Sequence, residues 1–274
     1  MDIWQFWNSL LLGVIEGITE FFPVSSTGHL IIAEKLLGIT EPSLFFNVVI
    51  QLGAILAVVV FFWKRIVQIL QSFVSPTPLS QKKTWIMFVV GTIPVLIIGA
   101  LFHSTIERLQ ASVHVVTLAT FLIAFILVWA EKTYRRTLIH GVQKTTLKFW
   151  DYVVVGIFQA ISVIPGVSRS GITIVGALTR KLSFDDAVET AFILGIPAMG
   201  AAAAFESLKL IKEPAGLTTA LVMQTAVGFI AAFITAFFTI SATLPLLKRY
   251  GFKPFVIYRI ALATLLLFLF PLAL

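Results

Sequence analysis

Continuous apolar stretches of membrane-spanning length limit what this chain can fold into more than any other feature of its sequence. They lie at 44–63, 85–102, 115–130, 184–206, 217–247 and 254–274. A hydrocarbon core of roughly 30 Å takes about 20 helical residues, and in lipid only helices or closed barrels satisfy their own backbone. The stretches do not alternate polar with apolar, as barrel strands do. Only 12% of residues are charged and 58% are hydrophobic, where a soluble domain carries about a quarter charged. The expectation is an all-α integral membrane protein. The opening Met1-Asp2-Ile3-Trp4 has no basic region, so no cleaved leader is expected. Without cysteine there are no disulfides and no thiol chemistry.

The chain is written twice. Gly13-Val-Ile-Glu16-Gly-Ile-Thr-Glu20-Phe-Phe-Pro-Val-Ser25-Ser26-Thr27-Gly28 aligns at one constant offset with Gly156-Ile-Phe-Gln159-Ala-Ile-Ser-Val163-Ile-Pro-Gly-Val-Ser168-Arg169-Ser170-Gly171. Both terminal glycines match, as do Glu16 with Gln159 and Ser25-Ser26-Thr27 with Ser168-Arg169-Ser170. Further apolar stretches follow each copy. The repeats are therefore expected at 1–140 and 141–274, within one membrane domain.

Net charge is +7, yet the basic residues do not form a nucleic-acid-binding patch. They gather between apolar stretches: Lys64-Arg65 with Lys82-Lys83; Lys132, Arg135, Arg136, Lys144 and Lys148; Arg180-Lys181; and Lys248, Arg249 and Lys253. Loops rich in Lys and Arg stay in the cytoplasm. Residues 150–180 begin and end beside such clusters, so they are expected to enter the membrane and return. By the same logic 1–40 starts and finishes outside. Each half is then a re-entrant helical hairpin plus three transmembrane helices, an inverted-topology repeat with both termini extracytoplasmic. Two hairpins entering from opposite faces can meet near the midplane, where broken helices present N-termini that attract anions.

Glu16 and Glu20 are one helical turn apart, and carboxylates at membrane depth are costly unless compensated. A divalent cation with oxygen preference, Mg²⁺ or Ca²⁺, would fit between them; so would an interfacial helix end in headgroup water. Ser25-Ser26-Thr27-Gly28 supplies hydroxyls and N–H groups for a phosphate, or simply caps the next helix. His29 reads either as a hydrogen-bonded buried histidine or as a general base or nucleophile. His103, His114 and His140 fall in loops or at span ends and read as ordinary. In Pro165-Gly-Val-Ser168-Arg169-Ser170-Gly-Ile-Thr173, an arginine among serines resembles a phosphate cradle; pairing of Arg169 with Glu16 or Glu20 is the competing reading. Asn47 and Gln51, one turn apart, are candidates to line a cavity. Arg259 reads as a snorkelling or interhelical arginine.

Together, Glu16-x-x-x-Glu20-Phe-Phe-Pro-Val-Ser-Ser-Thr-Gly-His29 and Pro165-Gly-x-Ser-Arg-Ser-x-x-Thr173 resemble the undecaprenyl-diphosphate phosphatase family associated with bacitracin resistance. The resemblance covers essentially the whole chain. It implies a bacterial inner-membrane enzyme that removes the terminal phosphate of a polyprenyl diphosphate lipid, depends on a divalent cation, forms a homodimer and opens to the extracytoplasmic face. Carried over by motif, Ser26 and His29 are the catalytic pair and Arg169 the phosphate clamp. Ser168, Ser170 and Thr173, with Ser25 and Thr27, complete the phosphate shell, and Glu16 and Glu20 take metal or acid–base roles. The nucleophile stays open among Ser26, His29 and a metal-bound water. A transporter or flippase of a polyprenyl phosphate would use the same anion site, but in detergent micelles only an enzyme releases phosphate.

Overall fold

The computed structural model describes the chain except residues 40–42, 75–78, 111, 140, 142, 145–146, 212–217 and 272–274; for 73–74, 79–87, 110 and 210–211 it describes the backbone alone. His140 and the ends of the expected spans at Leu217 and Leu274 therefore lie outside the described residues, and so does Lys212. Among the described residues there are twelve helices and no strand, only an isolated bridge between Lys144 and Leu182. In chain order they are α1 Ile3–Thr19, α2 Ser26–Leu36, α3 Leu44–Phe61, α4 Trp63–Val74, α5 Leu79–Leu101 and α6 His103–Gln110. Then follow α7 Val113–Ile139, α8 Phe149–Ile161, α9 Arg169–Thr179, α10 Phe184–Ile211, α11 Thr219–Tyr250 and α12 Lys253–Leu269.

Helices α3, α7, α10 and α11 are long and apolar enough to cross a membrane, and α5 with α6 makes a fifth candidate bent by 79°. The outward face of α7 carries Leu118, Leu122, Phe125 and Trp129, large apolar groups that a lipid environment accommodates. This is an integral membrane protein. Two helices stand where a basic loop or a span end was expected. The stretch after Trp63 forms α4, because Ile66, Ile69 and Leu70 recur at helical spacing opposite Lys64, Gln68 and Gln71. His103–Gln110 forms α6, the bent continuation of α5.

Helix α1 packs on α11, α8 packs on α5, α3 on α10 and α7 on α12. The two glycines that open the aligned segments explain the first two contacts. A Cβ on Gly13 would strike the Gly228 carbonyl of α11, and one on Gly156 would strike the Gly91 carbonyl of α5. Small residues let membrane helices approach closely, which replaces the hydrophobic drive that lipid removes. The second segment is also tied at its ends. Asp151, in the first turn of α8, accepts from Arg180 Nε just after α9 (2.7 Å), from Lys144 Nζ (3.0 Å) and from the Lys148 N–H (2.9 Å). The start of α8 and the end of α9 thus meet.

Between them, the broken segments occupy the centre. Phe21 and Val24 from the first, with Val167 and Ile172 from the second, share one buried cluster with Ala191 and Phe192 of α10 and Leu127 of α7. Gly156→Ala should lower the thermal midpoint in detergent by several degrees, since overpacking costs about 1–3 kcal/mol. Gly99→Ala is the control: a Cβ there meets nothing within 4 Å, and its midpoint should hold or rise.

Candidate active site

Both broken segments end in the same local geometry. Ser25 caps α2 with φ 77° and its Oγ accepts the Gly28 N–H; Ser168 caps α9 with φ 77° and its Oγ accepts the Gly171 N–H. A left-handed backbone is uncommon for residues other than glycine and clusters at functional sites. Ser26 and Arg169 are the first residues of the two helices that these caps open.

Glu20, the C-cap of α1, joins them. One carboxylate oxygen accepts the Ser26 hydroxyl. The other accepts Arg169 Nη2 at 2.7 Å and Nε at 3.2 Å. The ion pair is buried, with 10% of the arginine side chain and 5% of the glutamate exposed. Arg169 Nη1 also donates to the Ala191 carbonyl of α10 (3.2 Å). A Cβ at Gly195, one turn further along α10, would collide with the guanidinium. Ser170 Oγ donates to the Glu20 carbonyl (2.9 Å), a second bond between the tips.

A cavity of about 1020 Å³ opens from this point. Glu20, Ser25, Ser26, Thr27, Ser168 and Arg169 line it; Glu16, His29, Ser170 and Thr173 do not. Thr173 Oγ1 donates to the Arg169 carbonyl one turn back (2.7 Å), so it steadies α9 from behind. The His29 ring is turned away from Ser26. Its Nδ1 lies 2.6 Å from the Ser25 carbonyl and its Nε2 2.6 Å from the Tyr258 hydroxyl of α12. A carbonyl only accepts, so Nδ1 carries the proton and, in the neutral ring, Nε2 accepts from Tyr258. Asn47 and Gln51 both line the cavity, and Asn47 donates to Glu34 (2.7 Å).

Glu16 is fully buried, and neither of its oxygens has a hydrogen-bond donor among the described residues; its counterpart Gln159 is likewise buried and unpartnered. An orphaned buried carboxylate one turn from Glu20 suits a cation. A second group that could hold a metal sits further along the cavity wall. His103 Nε2 lies 2.8 Å from Glu206 and its Nδ1 3.6 Å from Glu107, with one ligand atom of each residue within 4.8 Å of the others. Lys209 Nζ contacts Glu107 at 2.6 Å. The sequence carries one trace of this cluster, His103 and Glu107 one helical turn apart; Glu206 joins only through the fold.

The arrangement provides a hydroxyl bonded to a carboxylate, a guanidinium beside them, and the N-termini of two helices at the head of a cavity. That is a setting for an anionic group and for proton removal from a serine. A model of the bacitracin resistance protein BacA family matches residues 9–265. An undecaprenyl-diphosphatase of Bdellovibrio bacteriovorus is 39% identical over 266 residues, 96% of this chain and 95% of the relative. One of Clostridium novyi is 36% identical over 280 residues, covering 98% and 96%. One of a Thermoanaerobacter species is 38% identical over 264 residues, 96% of each chain.

Arg169→Gln should destabilise by up to about 3–5 kcal/mol, because it leaves a buried carboxylate without its cation. The double variant Glu20→Gln/Arg169→Gln should recover part of that loss in thermal unfolding in detergent. A double variant less stable than the single one would contradict the pairing.

Proposed function

The chain belongs to the bacitracin resistance protein BacA family, and on that footing we propose that it hydrolyses undecaprenyl diphosphate to undecaprenyl phosphate and inorganic phosphate. That reaction recycles the lipid carrier of cell-wall synthesis and confers bacitracin resistance. The observation that carries this reading is Glu20 shared between the Ser26 hydroxyl and the Arg169 guanidinium at the head of the cavity.

The arriving terminal phosphate takes Arg169, with Ser168, Ser25 and Thr27 around it and Ser170 and Thr173 holding the α9 turn. Glu20, released from the guanidinium, accepts the Ser26 proton. The Ser26 oxygen forms its bond to the terminal phosphorus as the bridging P–O bond breaks, and undecaprenyl phosphate departs. Glu20 gives that proton to the departing phosphate group. Water then attacks the phosphoserine, Glu20 takes one of its protons and returns it to the Ser26 oxygen as the serine–phosphorus bond breaks, and inorganic phosphate leaves. Charge stabilisation and positioning do most of the work in phosphoryl transfer, and two helix N-termini and Arg169 supply both. His29, the residue the family resemblance pairs with Ser26, supports the catalytic turn through Ser25 and Tyr258.

Glu16 and Glu20 would hold a divalent cation, Mg²⁺ or Ca²⁺, with His103, Glu107 and Glu206 as a second set of ligands. When bound, such an ion contributes positive charge against the phosphate oxygens.

The architecture supporting this reading is an inverted-topology repeat, 1–140 and 141–274, of a re-entrant hairpin and three spans. Three things favour it: the shared φ of Ser25 and Ser168, the tie between Asp151 and Arg180, and the exchange by which α1 packs on α11 while α8 packs on α5. Both termini then lie outside the bacterial inner membrane. The cavity, lined by the C-terminal ends of α2 and α10, faces the same side. The homodimer stays an expectation of the family resemblance.

Purified protein in detergent should release phosphate from polyprenyl diphosphates and lose that activity to a chelator. No release under any metal condition would sink the enzyme. Removing Arg169 or the Ser26 hydroxyl should each cost roughly a thousandfold in turnover, the scale of losing a positioned charge or nucleophile. A folded Arg169→Ala variant with near-normal turnover would displace the clamp from this role.

A further inference from the structure

Arg259, in the middle of α12, is wholly buried, and its hydrogen bonds go to backbone carbonyls. Nη2 donates to Gly166 at 2.6 Å and to Ala119 at 3.5 Å, Nη1 to Pro23 at 3.1 Å, and Nε to Thr120 at 3.1 Å. Pro23 and Gly166 are the turns of the two broken segments, each two residues before its serine cap. Breaking a helix leaves carbonyls without intrahelical donors, and at this depth water cannot supply them. One planar group, with donors in fixed directions, serves both turns and ties them to α7.

The neighbouring residue acts on the same element. Tyr258 contacts His29, whose protonated Nδ1 holds the Ser25 carbonyl, so α12 grips the first tip twice. Gly166 allows the second grip: its φ is +95°, and a Cβ there would strike the Val116 carbonyl of α7.

We propose that Arg259 is a positioning residue that fixes the two hairpin tips against each other and so sets the separation of Ser26 from Arg169. It touches neither reacting group. Its effect passes through the Pro23 and Gly166 carbonyls to the serine caps, and from the caps to the first residues of α2 and α9. The role rests on the phosphatase reading above.

The test uses Arg259→Lys and Arg259→Gln, which keep fewer donors and lose the fork. Turnover should fall roughly a hundredfold with KM little changed, since a shift of about 1 Å at a reacting centre costs that much. Amide exchange should accelerate at 19–28 and 162–170 while α3 and α10 keep their protection. Normal turnover in a folded variant, or exchange that rises uniformly, would overturn the proposal. So would two variants that both fail to fold, because the arginine would then serve global stability. Wild-type protein that releases no phosphate would defeat the phosphatase reading instead, and the exchange pattern would still decide whether Arg259 fixes the tips.

Discussion

An ionised carboxylate taken into a bilayer needs a partner, and the centre of this molecule follows from how Glu20 finds one. Its cation, Arg169, comes from the second broken segment. The pair therefore forms only when both broken segments reach the same point. That requirement explains why two helices stop where they do. Helix α1 ends so that Glu20 can cap it, and α9 begins at Arg169 so that the guanidinium projects from a helix start. Ser26 joins the pair because α2 begins one residue after an identical cap.

Close packing makes this meeting possible. The aligned glycines Gly13 and Gly156 put α1 against α11 and α8 against α5, each resting on a carbonyl of the helix it meets. Each broken segment therefore leans on a long apolar helix distant in the chain. Gly195 does the same service for the arginine: with a hydrogen in place of a side chain, α10 leaves room for the guanidinium and offers it the Ala191 carbonyl. Arg169 and Arg259 both take backbone carbonyls that close packing brings within reach.

How much of this was legible depends on the range of the interaction. The helical class and the two like-capped segments are written locally, in apolar stretches and in Ser25-Ser26-Thr27 against Ser168-Arg169-Ser170. Pairing of Arg169 with a glutamate was legible too, because few cations lie at membrane depth and a carboxylate there needs one. The direction of the His29 ring was not. Its spacing from Ser26 places both near one helical face, but Tyr258, more than two hundred residues later, decides where the ring points. Arg259 looked like an ordinary interhelical arginine because its partners are carbonyls, which every residue has. Glu206 lies far along the sequence from His103 and Glu107 and meets them only in the fold.

The serine caps show why both positions are serine rather than glycine. At φ 77° a glycine would sit without strain, whereas a side chain costs about 1–3 kcal/mol. Serine at each cap accepts an N–H at the next helix start, from Gly28 and from Gly171, which glycine cannot do. Alanine would keep the strain and lose the cap. Strain of this size persists only where surrounding contacts over-determine it, and here they do: His29 holds the Ser25 carbonyl, Arg259 holds the turn before each cap, and Ser170 ties one tip to the other. The effect is to fix both helix starts at the head of the cavity before any anion arrives. A phosphate then meets an arginine already held in place, and exchanging Glu20 for phosphate on its guanidinium is the rearrangement left to make.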